Sequence, residues 1–157
     1  MVWDVFETRT ENEGETRQLG NTLAGLLQKG DVVALYGDLG SGKTVFVKGI
    51  CEGLGVDEQV TSPSFTLIQE YRGRVPVAHF DFYRLESVSA IEDLGVDDYF
   101  DTGISLIEWA ERGKEILPAE HFEVHLDRIM ENHHFAEFLR KVEIRGPRGK
   151  GLTELTL

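Results

Sequence analysis

The most constraining stretch of this chain is Gly37-Asp38-Leu39-Gly40-Ser41-Gly42-Lys43-Thr44, a complete G-x-x-x-x-G-K-T phosphate-binding loop. Its spacing has a mechanical basis. Glycines let successive backbone N–H groups turn inward around a phosphate that side chains would obstruct. The helix that starts at the loop adds the positive end of its dipole. Lys43 can reach the β- and γ-phosphates, and the Thr44 hydroxyl can join a Mg²⁺ shell. Such a loop works only between a strand and a helix, and the flanks meet that demand. Asp31–Tyr36 carries Val-Val-Ala-Leu, the apolar run of a buried strand, and Phe46, Val47, Ile50, Cys51 and Leu54 recur at helical spacing over residues 43–54.

The fold class that follows is α/β: a P-loop NTPase-like domain with a mainly parallel sheet flanked by helices and with antiparallel strands added. Residues 2–8 read as a first strand. Thr10 and Glu13 form a candidate capping box for a helix through Leu19, Leu23, Leu26 and Leu27, stopped at Gly30. After the loop, residues 65–71 and 75–82 read as strands joined by Arg72-Gly73-Arg74, with Pro76 near a strand start, where a missing donor is tolerated. A short acidic helix is expected over 86–94 and an apolar strand over Ile104–Trp109. Pro118 then breaks the chain before a strand at 122–129. A polar turn, Glu131-Asn132-His133-His134, leads to a helical or extended piece and a last strand around 140–145. Residues 1–146 are read as one nucleotide-binding domain and 147–157, rich in breakers, as a mobile tail.

Composition narrows the function. The net charge is −12, with 28 acidic against 16 basic residues, whereas nucleic-acid binders draw most of their affinity from a basic face. A broad grip on DNA or RNA by this chain alone is not expected. No apolar run approaches the ~20 residues needed to cross a bilayer, and Met1–Glu7 lacks the pattern of a signal peptide. The single cysteine, Cys51, rules out an internal disulfide and fits a reducing compartment, so a cytoplasmic location is expected.

A phosphate loop needs an acidic residue at the end of a neighbouring strand to hold the metal, directly or through water. Glu108 ends Ile104-Ser105-Leu106-Ile107, and Asp81 sits in His79-Phe80-Asp81-Phe82-Tyr83-Arg84 near another strand end. One can hold Mg²⁺ while the other orients the attacking water. The residues alone leave that division open. His79 alternates with Asp81 and should share its face, as a structural residue rather than a catalytic one. Tyr83 and Arg84 suit phosphate, a partner or simple packing equally. Thr61–Thr66 lies where its hydroxyls can sense Mg²⁺ or the γ-phosphate, or it is a plain Ser/Pro turn. Cys51 reads as core, and His133 and His134 as a solvated turn.

The phosphate loop, Ser62-Pro63-Ser64-Phe65-Thr66-Leu67-Ile68, His79-Phe80-Asp81-Phe82-Tyr83-Arg84 and Ile107-Glu108-Trp109, in that order and spacing, resemble the bacterial TsaE (YjeE) family. The likeness covers about residues 10 to 126. It implies an ATPase of the machinery that makes N6-threonylcarbamoyladenosine in tRNA, working with a TsaB–TsaD pair whose turnover its ATP hydrolysis supports. The tRNA would be contacted only through those partners. The resemblance implies that Thr44 and Glu108 are Mg²⁺ ligands and that Asp38, Leu39, Gly40, Ser41, Gly42, Lys43 and Thr44 hold the phosphates of ATP. Lys43, Asp81 and Glu108 would be catalytic, Trp109 would lie near the nucleotide, and the Thr10–Thr16 region would approach the adenine.

The chain departs from the family pattern at Ser64, where threonine is frequent, and at Ala110, where proline usually follows Glu-Trp. A C-terminal basic residue contacts nucleotide in such proteins, and the sequence does not choose among Arg128, Arg140 and Arg145. Two other functions compete. A small-molecule kinase usually needs an Arg-bearing lid, for which no insertion is evident. A nucleotide-dependent binding module would not need hydrolysis.

Overall fold

Val32–Tyr36 (β2) is buried at every position, an outcome available only to a central strand covered on both faces. In the computed structural model, which describes residues 2–156, β2 lies in the middle of a seven-stranded sheet of order β1-β7-β6-β2-β5-β4-β3. The strands are β1 (Trp3–Thr10), β3 (Ile68–Arg72), β4 (Pro76–Asp81), β5 (Ile104–Glu108), β6 (Phe122–Glu131) and β7 (His134–Pro147). The four central strands, β6, β2, β5 and β4, are parallel. Antiparallel β3 closes one side, and β7 and β1 extend the other. The expected fold class is therefore the observed one.

The alternation of β2 divides the core. Val33 and Leu35 face helices α1 (Glu13–Ala24) and α2 (Lys43–Gly53), together with Leu19, Leu23, Phe46 and Ile50. Val32, Ala34 and Tyr36 face the opposite layer with Phe80, Phe82 and Ile91, the last from the short helix α3 (Val88–Asp93). Each large side chain withdrawn from water contributes roughly 1.5–3 kcal/mol. Cys51 is in the first cluster, and burial pushes its thiol up to about 12, as suits an unreactive core residue.

Four local expectations give way to tertiary structure. Thr10 does not cap α1, because its backbone belongs to the β1–β7 ladder, opposite Arg140. The cap lies two residues later: Asn12 accepts the Glu15 N–H at 2.8 Å, and the Glu15 carboxylate accepts the Glu11 N–H at 2.9 Å. The helix also ends early, at Ala24, where Arg74 of the β3–β4 turn donates to the Ala24 and Leu27 carbonyls at 2.8 Å each. A cation at a helix C-terminus is favourable. Gly30 instead forms a left-handed turn beyond the helix. Third, residues 134–147 form one strand, entered through Asn132 and His133, both at positive φ, as a two-residue hairpin turn requires.

The fourth concerns the segment expected to be a mobile tail. Gly146 and Pro147 belong to β7, and a turn at Leu152–Glu154 returns Leu152 fully buried to the α1–α2 core. Leu152→Ala is expected to cost about 2–5 kcal/mol, the range for emptying a buried leucine site. Denaturant unfolding checks this, because a detached tail would leave the midpoint unchanged.

Candidate functional site

Parallel strands deliver side chains to one edge, and here β2, β4 and β5 end together. The phosphate loop leaves β2 at Gly37 and enters α2 at Lys43. Gly37, Gly40 and Gly42 all have positive φ. At Gly37 a Cβ would also press on the Leu126 carbonyl oxygen of β6, so no other residue fits. Inside the loop the Ser41 N–H bonds to the Asp38 carbonyl, and α2 starts with the Phe46 N–H on the Gly42 carbonyl. The first amides of α2 have no partner within the helix and suit an anion.

A cleft of about 470 Å³ lies over this loop, a volume suited to a small ligand. Its floor includes Gly40, Gly42, Lys43 and Thr44; Leu39, 70% exposed, stands at the mouth. Asp38 and Ser41 act through loop geometry, with the Ser41 side chain buried. One wall carries Asp81, Glu108 and Trp109. The other carries Glu13 and Thr16 of α1 with Phe138 and Arg140 of β7. Thr10 is not on that wall. It is fully buried beneath Thr16, their hydroxyls 2.7 Å apart, so the residue that reaches the cleft from this region is Thr16.

The acidic pair comes together as the strand register dictates. Asp81 and Glu108 are partners across the parallel β4–β5 ladder, on the face that looks toward α2. The Thr44 hydroxyl donates to Glu108 Oε1 at 2.9 Å. Glu108 Oε2 lies 2.6 Å from His79 Nε2. Asp81 Oδ2 accepts from Ser62 and Ser64 at 3.3 and 3.1 Å, and its Oδ1 accepts the Tyr83 N–H at 2.8 Å. The Ser62–Ser64 segment is therefore fastened to the site through Asp81.

Lys43 Nζ donates to the Gly37 and Asp38 carbonyls at 2.5 and 3.1 Å and lies 4.3 Å from the centre of the Trp109 ring. Trp109 adopts a left-handed conformation just beyond β5, which turns the indole over the loop. Burial lowers the Lys43 pKa from its ordinary value, and the surrounding carboxylates, Glu108 foremost, oppose that shift. Tyr83 packs on Trp109 at 4.7 Å. Arg84 lies over the ring of Phe65, which is 83% exposed at the rim.

Among the three arginines that the sequence left open, Arg140 is the one in the cleft. Its Nε donates to the Ser41 carbonyl at 2.8 Å and its Nη2 to the Gly40 carbonyl at 3.0 Å. In a planar trans peptide the N–H points opposite to the C=O. Anchoring these two carbonyls therefore fixes the direction of the Ser41 and Gly42 amides. Arg140 is brought here by its pairing with Thr10, one hundred residues from the loop it braces, and no local sequence signal could have singled it out. Arg140→Ala is expected to weaken nucleotide binding about 10- to 100-fold, on the scale of lost charged hydrogen bonds. Equilibrium dialysis with labelled nucleotide checks this, with the melting temperature as control.

Comparison with known proteins gives a consistent result. The family described as "Threonylcarbamoyl adenosine biosynthesis protein TsaE" matches residues 10–136. The tRNA threonylcarbamoyladenosine biosynthesis protein TsaE of Bacillus subtilis is 47% identical over 122 residues, 76% of each chain. Its Treponema pallidum counterpart is 45% identical over 66% of this chain and 78% of its own. The Streptomyces coelicolor protein is 37% identical over 83% and 89%. The crystal structure of YdiB from Bacillus subtilis superposes with a TM-score of 0.79 at 34% identity, covering 98% of this chain and 95% of its own.

Proposed function

The chain belongs to the TsaE family, and from that premise we propose that it is a Mg²⁺-dependent ATPase serving N6-threonylcarbamoyladenosine biosynthesis in tRNA. The observation that carries the reading is the meeting of Thr44 and Glu108 at 2.9 Å over the phosphate loop. Mg²⁺ is usually held by one or two protein oxygens together with phosphate oxygens. That donor set fits: two hard oxygens, with no cluster of three or more His, Cys, Asp or Glu able to cage a metal among the described residues. Bound there, the ion would neutralise charge on the β- and γ-phosphate oxygens.

The protein's own groups supply the rest. Lys43, released from the Gly37 and Asp38 carbonyls, places its ammonium on the β- and γ-phosphates. The loop amides held by Arg140 receive phosphate oxygens. Asp81 orients the attacking water, and Trp109 borders the nucleotide. Catalysis of this kind is chiefly positioning and electrostatic stabilisation.

The hydrolysis reading extends to a TsaB–TsaD pair in the cytoplasm, whose turnover it supports. A net charge of −12 suits a protein whose tRNA is held by its partners, and no helix among the described residues is long and apolar enough to cross a membrane. Reconstitution of tRNA threonylcarbamoylation with and without this chain tests the proposal. Expected are slow ATP hydrolysis alone, a changed rate with TsaB and TsaD, and a higher modification yield. No change in rate or yield on mixing rejects it. If Glu108→Ala leaves partner binding and modification intact, the chain is a nucleotide-dependent binding module. A phosphorylated metabolite detected by mass spectrometry would identify a kinase.

A further inference from the structure

Among the described residues, His79 is the one fully buried titratable side chain beside the site that the reading above does not use. It lies on β4, where Val77, His79 and Asp81 alternate onto the α2 side of the sheet, next to Ile104, Leu106 and Glu108 of β5. The inner members of this pleat, Val77, Ile104 and Leu106, are ordinary core residues. His79 is 0% exposed, yet only one of its ring nitrogens is satisfied: Nε2 meets Glu108 Oε2 at 2.6 Å, while Nδ1 is buried without a hydrogen-bond partner. Tyr71 packs beside the ring, 6.3 Å between centres.

An orphaned buried nitrogen is a liability that an apolar side chain of similar size would avoid. What the imidazole supplies instead is a donor to the Glu108 oxygen that Thr44 does not touch. The terminal torsion of a glutamate is broad and weakly restrained. Here both oxygens are anchored, Oε1 by the Thr44 hydroxyl and Oε2 by His79, so the carboxylate plane is fixed. A carboxylate oxygen is an acceptor, so the contact with Oε2 assigns the donating N–H to Nε2.

We propose that His79 is a positioning residue: its Nε2–H holds Glu108 Oε2, presenting Oε1 beside the Thr44 hydroxyl for the metal of a bound metal–nucleotide complex. The inference rests on the reading that Thr44 and Glu108 are the metal's protein ligands. Partners that orient a ligating group typically account for 10- to 100-fold in metal affinity.

The test uses the full chain as wild type, His79→Leu, His79→Gln and Glu108→Gln. Uptake of Mn²⁺ by the protein–ADP complex is followed by electron paramagnetic resonance, ADP affinity in EDTA by equilibrium dialysis, and folding by thermal melting. His79→Leu is expected to weaken Mn²⁺ uptake about 10- to 100-fold while metal-free ADP affinity stays within about twofold. His79→Gln, whose amide N–H can replace the Nε2 donor, is expected to recover most of the loss. If His79→Leu does not fold, His79→Asn takes its place, since the shorter amide cannot reach Oε2 and must show the same metal loss.

Unchanged Mn²⁺ uptake in the His79 variants, with a loss in Glu108→Gln, overturns the inference and leaves the ligand assignment standing. Unchanged uptake in Glu108→Gln overturns that assignment and the inference with it. Equal losses of Mn²⁺ and metal-free ADP affinity mark a merely structural histidine and also overturn it.

Discussion

Lys43→Ala should reduce ATP turnover by on the order of 10²–10³-fold, the scale of removing a preorganised group that stabilises transition-state charge, without unfolding the protein. The side chain is 5% exposed and, without nucleotide, its ammonium engages two carbonyls of its own loop and the face of Trp109, contacts within the loop that it exchanges for the phosphates. Burial favours the neutral amine, whereas Glu108, Glu111, Asp81 and Asp38 together favour the charged form. Binding of an anionic phosphate adds to the second side of that balance. Alanine removes the charge and leaves the α1–α2 core untouched. Phosphate-release kinetics and thermal melting measured together decide the matter. Turnover above a tenth of wild type would show that Lys43 is not the principal cation of the site, and a large fall in melting temperature would assign it to folding instead. Arginine should not restore activity, because a planar guanidinium cannot occupy the position of a compact ammonium.

The second large effect concerns stability, and two physical rules give it opposite signs. Gly49 lies inside α2, where helix propensity alone favours alanine over glycine by up to ~1 kcal/mol. Packing says otherwise. A Cβ at Gly49 would collide with the Arg17 carbonyl oxygen and lie 2.8 Å from its carbonyl carbon and 3.1 Å from its Cα, all of them α1 backbone. The same close approach recurs at Gly20, facing the Phe46 carbonyl, and at Gly53, 2.7 Å from the Asn21 carbonyl. Backbone cannot swing aside as a side chain can, so α1 and α2 must separate. Gly49→Ala is expected to cost about 3 kcal/mol, at the upper end of overpacking penalties, a fall of roughly 6–12 °C in a domain of this size. A melting temperature that stays level or rises would mean that propensity outweighs contact. Since α2 carries the phosphate loop, a folded variant should also bind nucleotide less tightly.

How much was legible in advance depended on how local the cause is. The loop from Gly37 to Thr44 and the helix behind it could be read because glycine conformation, the lysine and the apolar spacing are all determined within a few residues. The burial of β2 follows from an uninterrupted apolar run, and that of β5 from Ile104, Leu106 and Ile107 around Ser105. The start of α1 is not legible locally, because Thr10 has capping chemistry but its backbone is claimed by β7. Leu152 reads as part of a tail because the glycines and proline before it signal a turn and carry no information about where the chain returns.

A phosphate loop on an α/β scaffold, with acidic residues at two strand ends, can be read from the residues alone, because those features are set by short-range sterics and two-residue alternation. Which groups meet is a property of the folded chain. Folding seats Arg140 on the loop carbonyls, fastens Ser62 and Ser64 to Asp81, and puts His79 against Glu108. Each of these contacts joins segments well separated along the chain, and their meeting is fixed by sheet order and register.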